Sequence, residues 1–410
     1  MSIVSVIRRG VVLLMVLAGC AAAPQRPVAQ RTDPDFERGI AFAVDDLFIQ
    51  LQRLPAFAPK PLDKIEKAVG AVLKSEGEAV RSVIVVDTII DAATGQQTQA
   101  TQLAEQRLYE RARTKFPQFE VGAAKPELVK RAEYVLAATM QSVQGERGVY
   151  RLSMSMADRR NGLVIAQAAT RIRDESMDTT PTPFYRDSPA LVRDRVIEGQ
   201  VRTSEAAPGS QADTVYLERL PTNALINEGL TAFNRGDISA ALPFYEEAAR
   251  RGDGQQLRVF NGLYVSFWNT GRVVEAENAF GRIVALGLAT NNLAVKFLFK
   301  PVSTDFWADP KISGQYPLWT RQIARQVAST GSCLAVVGHS SRTGTEQAND
   351  RLSLQRAEAI KARLLAENRE LAGKLATSGA GFRENIIGSG TDDQRDSLDR
   401  RVEFRVVTCP

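Results

Sequence analysis

Histidine is almost missing from this chain: His339 is the single copy in 410 residues. Cysteine occurs three times, tryptophan three and methionine six. A His/Cys metal set needs several such ligands at short fixed spacings, and none is present, so no metal and no cofactor are expected. One histidine with no flanking nucleophile and acid also makes no hydrolytic constellation. A surplus of one charge is missing too. Lys and Arg number 52 against 47 Asp and Glu, a net +5, with no basic stripe, so nucleic acid is not an expected partner. What is present is ordinary globular material, 44% hydrophobic and 24% charged. That allows a sizeable core, and the length predicts two or three domains.

The first informative stretch is "RRGVVLLMVLAGC", Arg8 to Cys20. A short charged segment precedes an apolar stretch too short to span a bilayer comfortably, then small residues. "LAGC" resembles the lipobox of bacterial lipoproteins. The resemblance implies a signal peptide over residues 1–19 and lipidation of Cys20. Ala21, where an aspartate would imply inner-membrane retention, implies the outer membrane. Several acyl chains on one residue would hold the protein there, facing the periplasm. Cys333 and Cys409 are then an even pair in an oxidising compartment and candidates for a disulfide.

Residues 20–34, small, polar and proline-containing, read as a tether. A first α+β domain is expected over 35–175. Phe36, Ile40, Val44, Leu47, Phe48 and Leu51 recur at helical spacing, and "SVIVVDTIID" suits a central strand. "VYRLSMSMAD" alternates, with Tyr150, Leu152, Met154 and Met156 on one face. Asn161-Gly162 between strand-like runs predicts a hairpin. Asp87 and Asp91 read as a strand end and a turn. The element order, with "VVD" before a helix and "AEYVLAATM" after it, resembles penicillin-binding-protein activators and curli-secretion and flagellar lipoproteins. Residues 176–220, with Pro181, Pro183, Pro189 and Pro208, read as a linker.

Residues 221–294 contain an internal repeat. Gly236 matches Gly271, Ala241 matches Ala276, and Tyr245 matches Phe280, all at an offset of 35. The pattern resembles the tetratricopeptide repeat, a helix pair per about 34 residues. The resemblance implies a groove for a protein partner. Two repeats are few, so the neighbouring domains are expected to cap them.

From residue 295 to 410 the expected order is strand (Val295 to Phe299), helix, strand ("CLAVVGHS"), helix, strand ("ENIIGSG") and strand ("RRVEFRVV"). "GHSSRTGTEQANDRLSLQRAEAI", then "IIGSGTDD" and "DRRVEF", resemble the peptidoglycan-binding domain of OmpA-type porins, the peptidoglycan-associated lipoprotein and flagellar stators. The resemblance implies a βαβαββ sandwich that binds the diaminopimelate of the wall's stem peptide. In this sequence Arg356 would take a ligand carboxylate. Ser353 is the expected N-cap, which would place Arg356 in the first helical turn, where the dipole favours an anion. Asn349 and Leu352 match loop-shaping positions and Gly344 a tight backbone point, as does Gly338. Arg400 and Arg401 match the arginines entering the last strand. Where the family carries Thr-Asp, this chain has Ser340-Ser341. Ser341 offers a hydrogen bond but no charge, and Asp350 is a candidate substitute carboxylate. His339 matches a structural position of the family.

The expected whole is a multidomain α+β chain, not an enzyme. It would be an outer-membrane lipoprotein binding the wall at one end and a protein partner through its repeats. Two alternatives stand beside this reading. One is an accessory lipoprotein of an envelope machine, such as a secretion system or a peptidoglycan synthase complex. The other is a wall hydrolase.

Overall fold

A computed structural model describes residues 33–57, 81–386 and 399–409, with Gly390 and Asp396 between the last two stretches. Cys20 and the proposed signal peptide and most of the tether lie outside them. All belong to one compact unit, Asp33–Pro410.

The chain opens with α1, Phe36–Arg53, whose first turn is closed by Asp35 accepting from the Arg38 amide. Then follow β1 (Ser82–Val86), β2 (Ile90–Asp91), α2 (Gln99–Lys115), β3 (Phe119–Ala123), α3 (Pro126–Arg131), β4 (Tyr134–Ser142), β5 (Val149–Asp158) and β6 (Val164–Arg173). The sheet order is β3-β1-β4-β5-β6, with β1 parallel to both its neighbours. Successive side chains leave a strand on opposite faces. Ile84 and Val86 therefore join Leu47, Phe48 and Leu51 of α1 and Leu108 of α2 in one core, while Val83 and Val85 join another. Each fully buried Leu or Phe contributes roughly 1.5–3 kcal/mol. The β5–β6 hairpin turns at Gly162, φ +73°.

The expected single strand over Ser82–Asp91 is interrupted at Asp87. Pairing resumes at β2 on the same partner, β4. The Asp87 carboxylate is fully buried and accepts from Asn223 and Asn227 at 3.2 and 2.9 Å. Asp91 closes a turn by accepting from the Ala93 and Thr94 amides.

Residues 176–220, read as a linker, are packed. They hold α4 (Pro183–Asp187), α5 (Arg195–Glu205) and the start of α6 (Thr214–Asn234). Pro183 stands in the first turn of α4, where its missing N–H costs nothing. Phe184, Tyr185, Val192 and Ile197 are buried.

Next come α7 (Ile238–Arg250), α8 (Leu257–Asn269) and α9 (Val273–Ala289). The matched glycines, Gly236 and Gly271, lie in the α6–α7 and α8–α9 turns at φ +83° and +73°. The matched Ala241, Ala276, Tyr245 and Phe280 are fully buried. A Cβ on Gly229 would sit 2.8 Å from the Tyr245 ring, so the small residue admits the large one. Tyr216, Leu220 and Ala224 of α6 pack on the first sheet.

The C-terminal part contains β7 (Leu293–Val295), α10 (Pro310–Ser313), α11 (Tyr316–Thr330), β8 (Cys333–Gly338), α12 (Glu346–Glu367), β9 (Leu375–Gly379) and β10 (Val402–Val407). The sheet order is β7-β10-β8-β9, with β8 and β9 parallel and β10 antiparallel to its neighbours. Ile323 and Val327 of α11 and Ile360 and Leu364 of α12 share a core with Leu334, Val336 and Phe404. The Trp319 ring of α11 stacks on Phe280 of α9 at 5.6 Å, so this core runs on into the repeats.

Two strand expectations shift. The first strand ends at Val295 rather than running to Phe299. The third is Leu375–Gly379, where only Leu375 is buried. Glu384–Ile386, expected as strand, forms a turn whose Ile386 amide donates to Asp399 at 2.7 Å. The antiparallel register sets Val407 opposite Cys333. Cys409, just beyond, is disulfide-bonded to Cys333 with 5.1 Å between the Cα atoms.

Candidate functional site

The segment after β8 turns inward. His339, Ser340 and Ser341 are buried, and Arg342 to Ala348 form an exposed loop and first helical turn. Gly344 has φ +97°, a conformation L side chains rarely adopt. Asn349 Nδ2 donates to the carbonyls of Thr343 and Thr345 at 2.9 and 3.1 Å, which fixes the loop to the helix. Leu352 is half-buried beside it.

The helix begins earlier than expected. Thr345, not Ser353, is the N-cap of α12, accepting from the Ala348 amide at 3.3 Å. "EQANDR" carries no Gly or Pro, so the helix extends toward the loop until the threonine cap. Arg356 therefore lies about three turns in, where the N-terminal dipole has faded. Ser353 is interior. Its Oγ donates to the Asp350 carbonyl and accepts from the Gly381 amide, both at 2.9 Å. A Cβ on Gly338 would collide with the Ser353 carbonyl oxygen, so that glycine lets strand and helix touch.

Arg356 is 1% exposed. Its Nε donates to the Ser303 carbonyl and its Nη2 to the Lys300 carbonyl, each at 3.2 Å, and the guanidinium lies 5.0 Å from the Phe299 ring centre. Asp350, the candidate substitute carboxylate, is 2.6 Å from Arg383 Nη1 and half-exposed. That ion pair, then the one with Glu346, raises the Arg383 pKa.

A second ionic group lies behind the loop. Arg401 and Arg405 both pair with Glu403, at 2.6 and 2.9 Å. His339 is fully buried, with Nε2 3.6 Å from Glu403 and Nδ1 3.9 Å from Glu384. Burial alone would raise the Glu403 pKa. His339, Arg401 and Arg405 outweigh it and hold the carboxyl well below the usual range. His339, Glu384 and Glu403 could between them offer three ligand atoms to a cation. The two guanidiniums already on those carboxylates oppose that use. Arg400, Asp396 and Asp399 are buried in the same region.

Asn349, Ser353 and Arg356 thus lie along the first half of α12, with Gly344 in the loop before it and Ser341 buried at the loop's beginning. Sequence reasoning missed the excursion Lys300–Asp305 that covers Arg356, and also Arg383. "KPVSTD" offered only a proline and small polar residues as a turn signal.

Comparison with known proteins bears on the C-terminal part. Residues 312–398 match the OmpA family. Outer membrane protein Omp38 of Acinetobacter baumannii is 32% identical over 98 residues, which cover 24% of this chain and 27% of Omp38. The chain thus matches about a quarter of the length of these curated relatives. Among solved structures, the peptidoglycan-associated lipoprotein of Burkholderia pseudomallei is 20% identical, with a TM-score of 0.23. The match covers 28% of this chain and 89% of that one. The periplasmic domain of Helicobacter pylori MotB is 16% identical, with a TM-score of 0.24, covering 29% and 76%. No described helix is long and apolar enough to cross a membrane. The C-terminal part of this mixed α/β chain, at residues 312–398, is a domain of the OmpA family.

Proposed function

We propose that this protein binds peptidoglycan non-covalently through its OmpA-type domain, with Arg356 receiving a carboxylate of the diaminopimelate stem peptide. The observation that carries the reading is the family match at 312–398, which contains "GHSSRTG", Asn349 and "LSLQRA". A guanidinium suits the role because it grips a carboxylate with two parallel hydrogen bonds. Gly344 and Asn349 shape the loop beside it, with Leu352 as a half-buried wall. Ser341 contributes a neutral contact where the family offers a carboxylate, and Asp350, exchanging its ion pair with Arg383, supplies the negative charge for the ligand's ammonium. The activity is binding rather than catalysis.

Cys20 carries the lipid that holds the chain at the outer membrane on its periplasmic side, so that the protein joins membrane to wall. The domains divide as 35–175, the repeats at 221–294 and the wall domain from 295. The repeats receive a protein partner. An accessory role in an envelope machine is the second reading. It is favoured by the continuous core that ties the repeats to the wall domain, since a partner held on the repeats would be placed at the wall.

Calorimetric titration with a soluble stem peptide ending in diaminopimelate tests the site. Wild type should bind, and Arg356→Ala should lose at least about tenfold in affinity, the worth of one charge-assisted contact. Equal binding by both removes Arg356 from the site. Unchanged binding by Asp350→Ala removes Asp350.

A further inference from the structure

Residues 182–192 lie across the helix pairs, and two of their main-chain amides are held by carboxamides of those helices. The Phe184 amide donates to Asn234 Oδ1 at 2.9 Å, and the Ala190 amide donates to Asn261 Oδ1 at 3.3 Å. Asn234 ends α6 and Asn261 lies in α8, so each helix pair supplies one contact. Asn261 is fully buried, and its Nδ2 donates to the Leu257 carbonyl at 2.8 Å, which turns the oxygen toward the segment. A buried carboxamide costs free energy unless it is paired, and the segment pairs this one. Each bound amide follows a proline, Pro183 before Phe184 and Pro189 before Ala190. Proline stiffens a chain before it binds and so lowers the entropy cost of ordering it. The Phe184 ring stacks on Tyr245 of α7 at 5.8 Å and meets Phe233 of α6 edge-on at 5.9 Å. Tyr185, Ala190 and Val192 are buried in the same core. The two ends of the segment are fastened elsewhere. The Thr182 amide donates to the Gln97 carbonyl of the first domain at 3.0 Å. Ala190 bridges Val295 of β7, and the Leu191 amide donates to the Ala294 carbonyl at 3.0 Å.

We propose that the helix pairs form a peptide site, filled here by the chain's own residues 182–192, and that a partner enters it with the same two proline-led apolar steps when this strap leaves. The inference rests on the reading that the repeats receive a protein partner, and it names the chemistry of that partner. The partner brings an extended segment with an aromatic residue behind its first proline and a small residue behind its second. Carboxamide oxygens that accept from main-chain amides read backbone, so a second chain can supply the same bonds. While the strap is in place the site is closed to that chain. A covalently attached segment faces its seat at an effective concentration on the order of millimolar, which is what a partner has to outcompete. When the strap leaves, Val295 loses its bridge to Ala190, so a partner on the repeats also loosens the β7 edge of the C-terminal sheet.

The test is fluorescence anisotropy with a labelled synthetic peptide of residues 181–192. It is added to the full-length wild type and to a full-length double variant, Phe184→Ala with Tyr185→Ala, each checked for fold by circular dichroism. Micromolar peptide should not displace the tethered strap from wild type. The double variant, whose strap has lost its aromatic anchors, should bind the peptide at least about tenfold more tightly than wild type does. The same peptide with alanine at both aromatic positions should bind neither protein. Equal binding of the unaltered peptide by both proteins overturns the strap and leaves the repeats as a receiver. A folded double variant that binds no peptide overturns the site, and the reading of the repeats as a receiver falls with it. Should the double variant not fold, native-state hydrogen exchange of wild type decides. The Phe184 and Ala190 amides should then exchange at least about tenfold faster than the α8 amides of Leu263, Tyr264 and Val265, because the strap opens without the helices. Equal rates overturn the strap.

Discussion

Two arginines are among the largest fully buried side chains of this protein, Arg258 and Arg356, and they are held in opposite ways. Arg258 of α8 donates to Asn223 Oδ1 at 2.9 Å, and Asn223 passes the contact on to Asp87 at the end of β1. Asn227 holds the other Asp87 oxygen. Asp194, which caps α5, also accepts from the Leu257 amide at the start of α8. The network joins the first sheet to the repeats through side chains on three elements. Arg356 also donates to main-chain carbonyls of a surface excursion, those of Lys300 and Ser303. The first arrangement is a lock, because every partner is fixed by its own helix or strand. The second includes partners on an exposed excursion between Phe299 and Phe306 rather than on a helix or strand. Burial alone therefore does not distinguish the two arginines. The origin of the partners does.

The largest effect that could break this contrast is on stability. Arg258→Ala leaves Asp87 buried without its distant counter-charge and should cost about 3–5 kcal/mol in chemical denaturation. Arg356→Ala releases, among its contacts, the two hydrogen bonds to the Lys300 and Ser303 carbonyls and should cost about 1–3 kcal/mol. A reversed order would mean that Arg356 is the structural residue. Next in size is the disulfide, whose cysteines are 76 residues apart. Reduction, or Cys409→Ser, should lower stability by about 2–4 kcal/mol in denaturation with and without reductant. The loss should fall on the C-terminal sheet and spare the Arg258 network.

A smaller effect concerns pH. Burial pushes the Glu105 carboxyl, near Asp87, up to about 7 from 4.5, against hydrogen bonds from Tyr109, Ile89 and Gln97. An acid whose pKa is raised by folding holds its proton more tightly in the folded state. Its contribution is full below pH 4.5 and is lost as pH rises toward about 7. Thermal unfolding should weaken across that window, and Glu105→Gln should flatten the slope.

Local pattern was legible wherever one physical signal dominated. The alternation of "VYRLSMSMAD" marks β5 to the residue, Val149–Asp158. The matched glycines and aromatics placed the helix pairs of the repeat, and Asn161-Gly162 placed its turn. The start of α12 was misread because Ser353 is a good cap by type, while Thr345 and a run of helix formers ahead of it are better by position. The packed stretch 176–220 was hidden by its prolines. Those residues start a helix and flank bridges, and Phe184, Tyr185 and Val192 between them were the overlooked apolar signal. β9 was missed because "LATSG" contains little to bury. The cover over Arg356 was invisible for a different reason: Ser303 and Lys300 act through their carbonyls, which every residue has.

The central claim is that the OmpA-type domain places Arg356 at the wall. Co-sedimentation of wild type and Arg356→Ala with purified sacculi, side by side at one salt concentration, tests it most directly. The account predicts that wild type pellets with the sacculi and that Arg356→Ala remains largely in the supernatant while keeping its circular dichroism spectrum. Equal pelleting of the two proteins would contradict it.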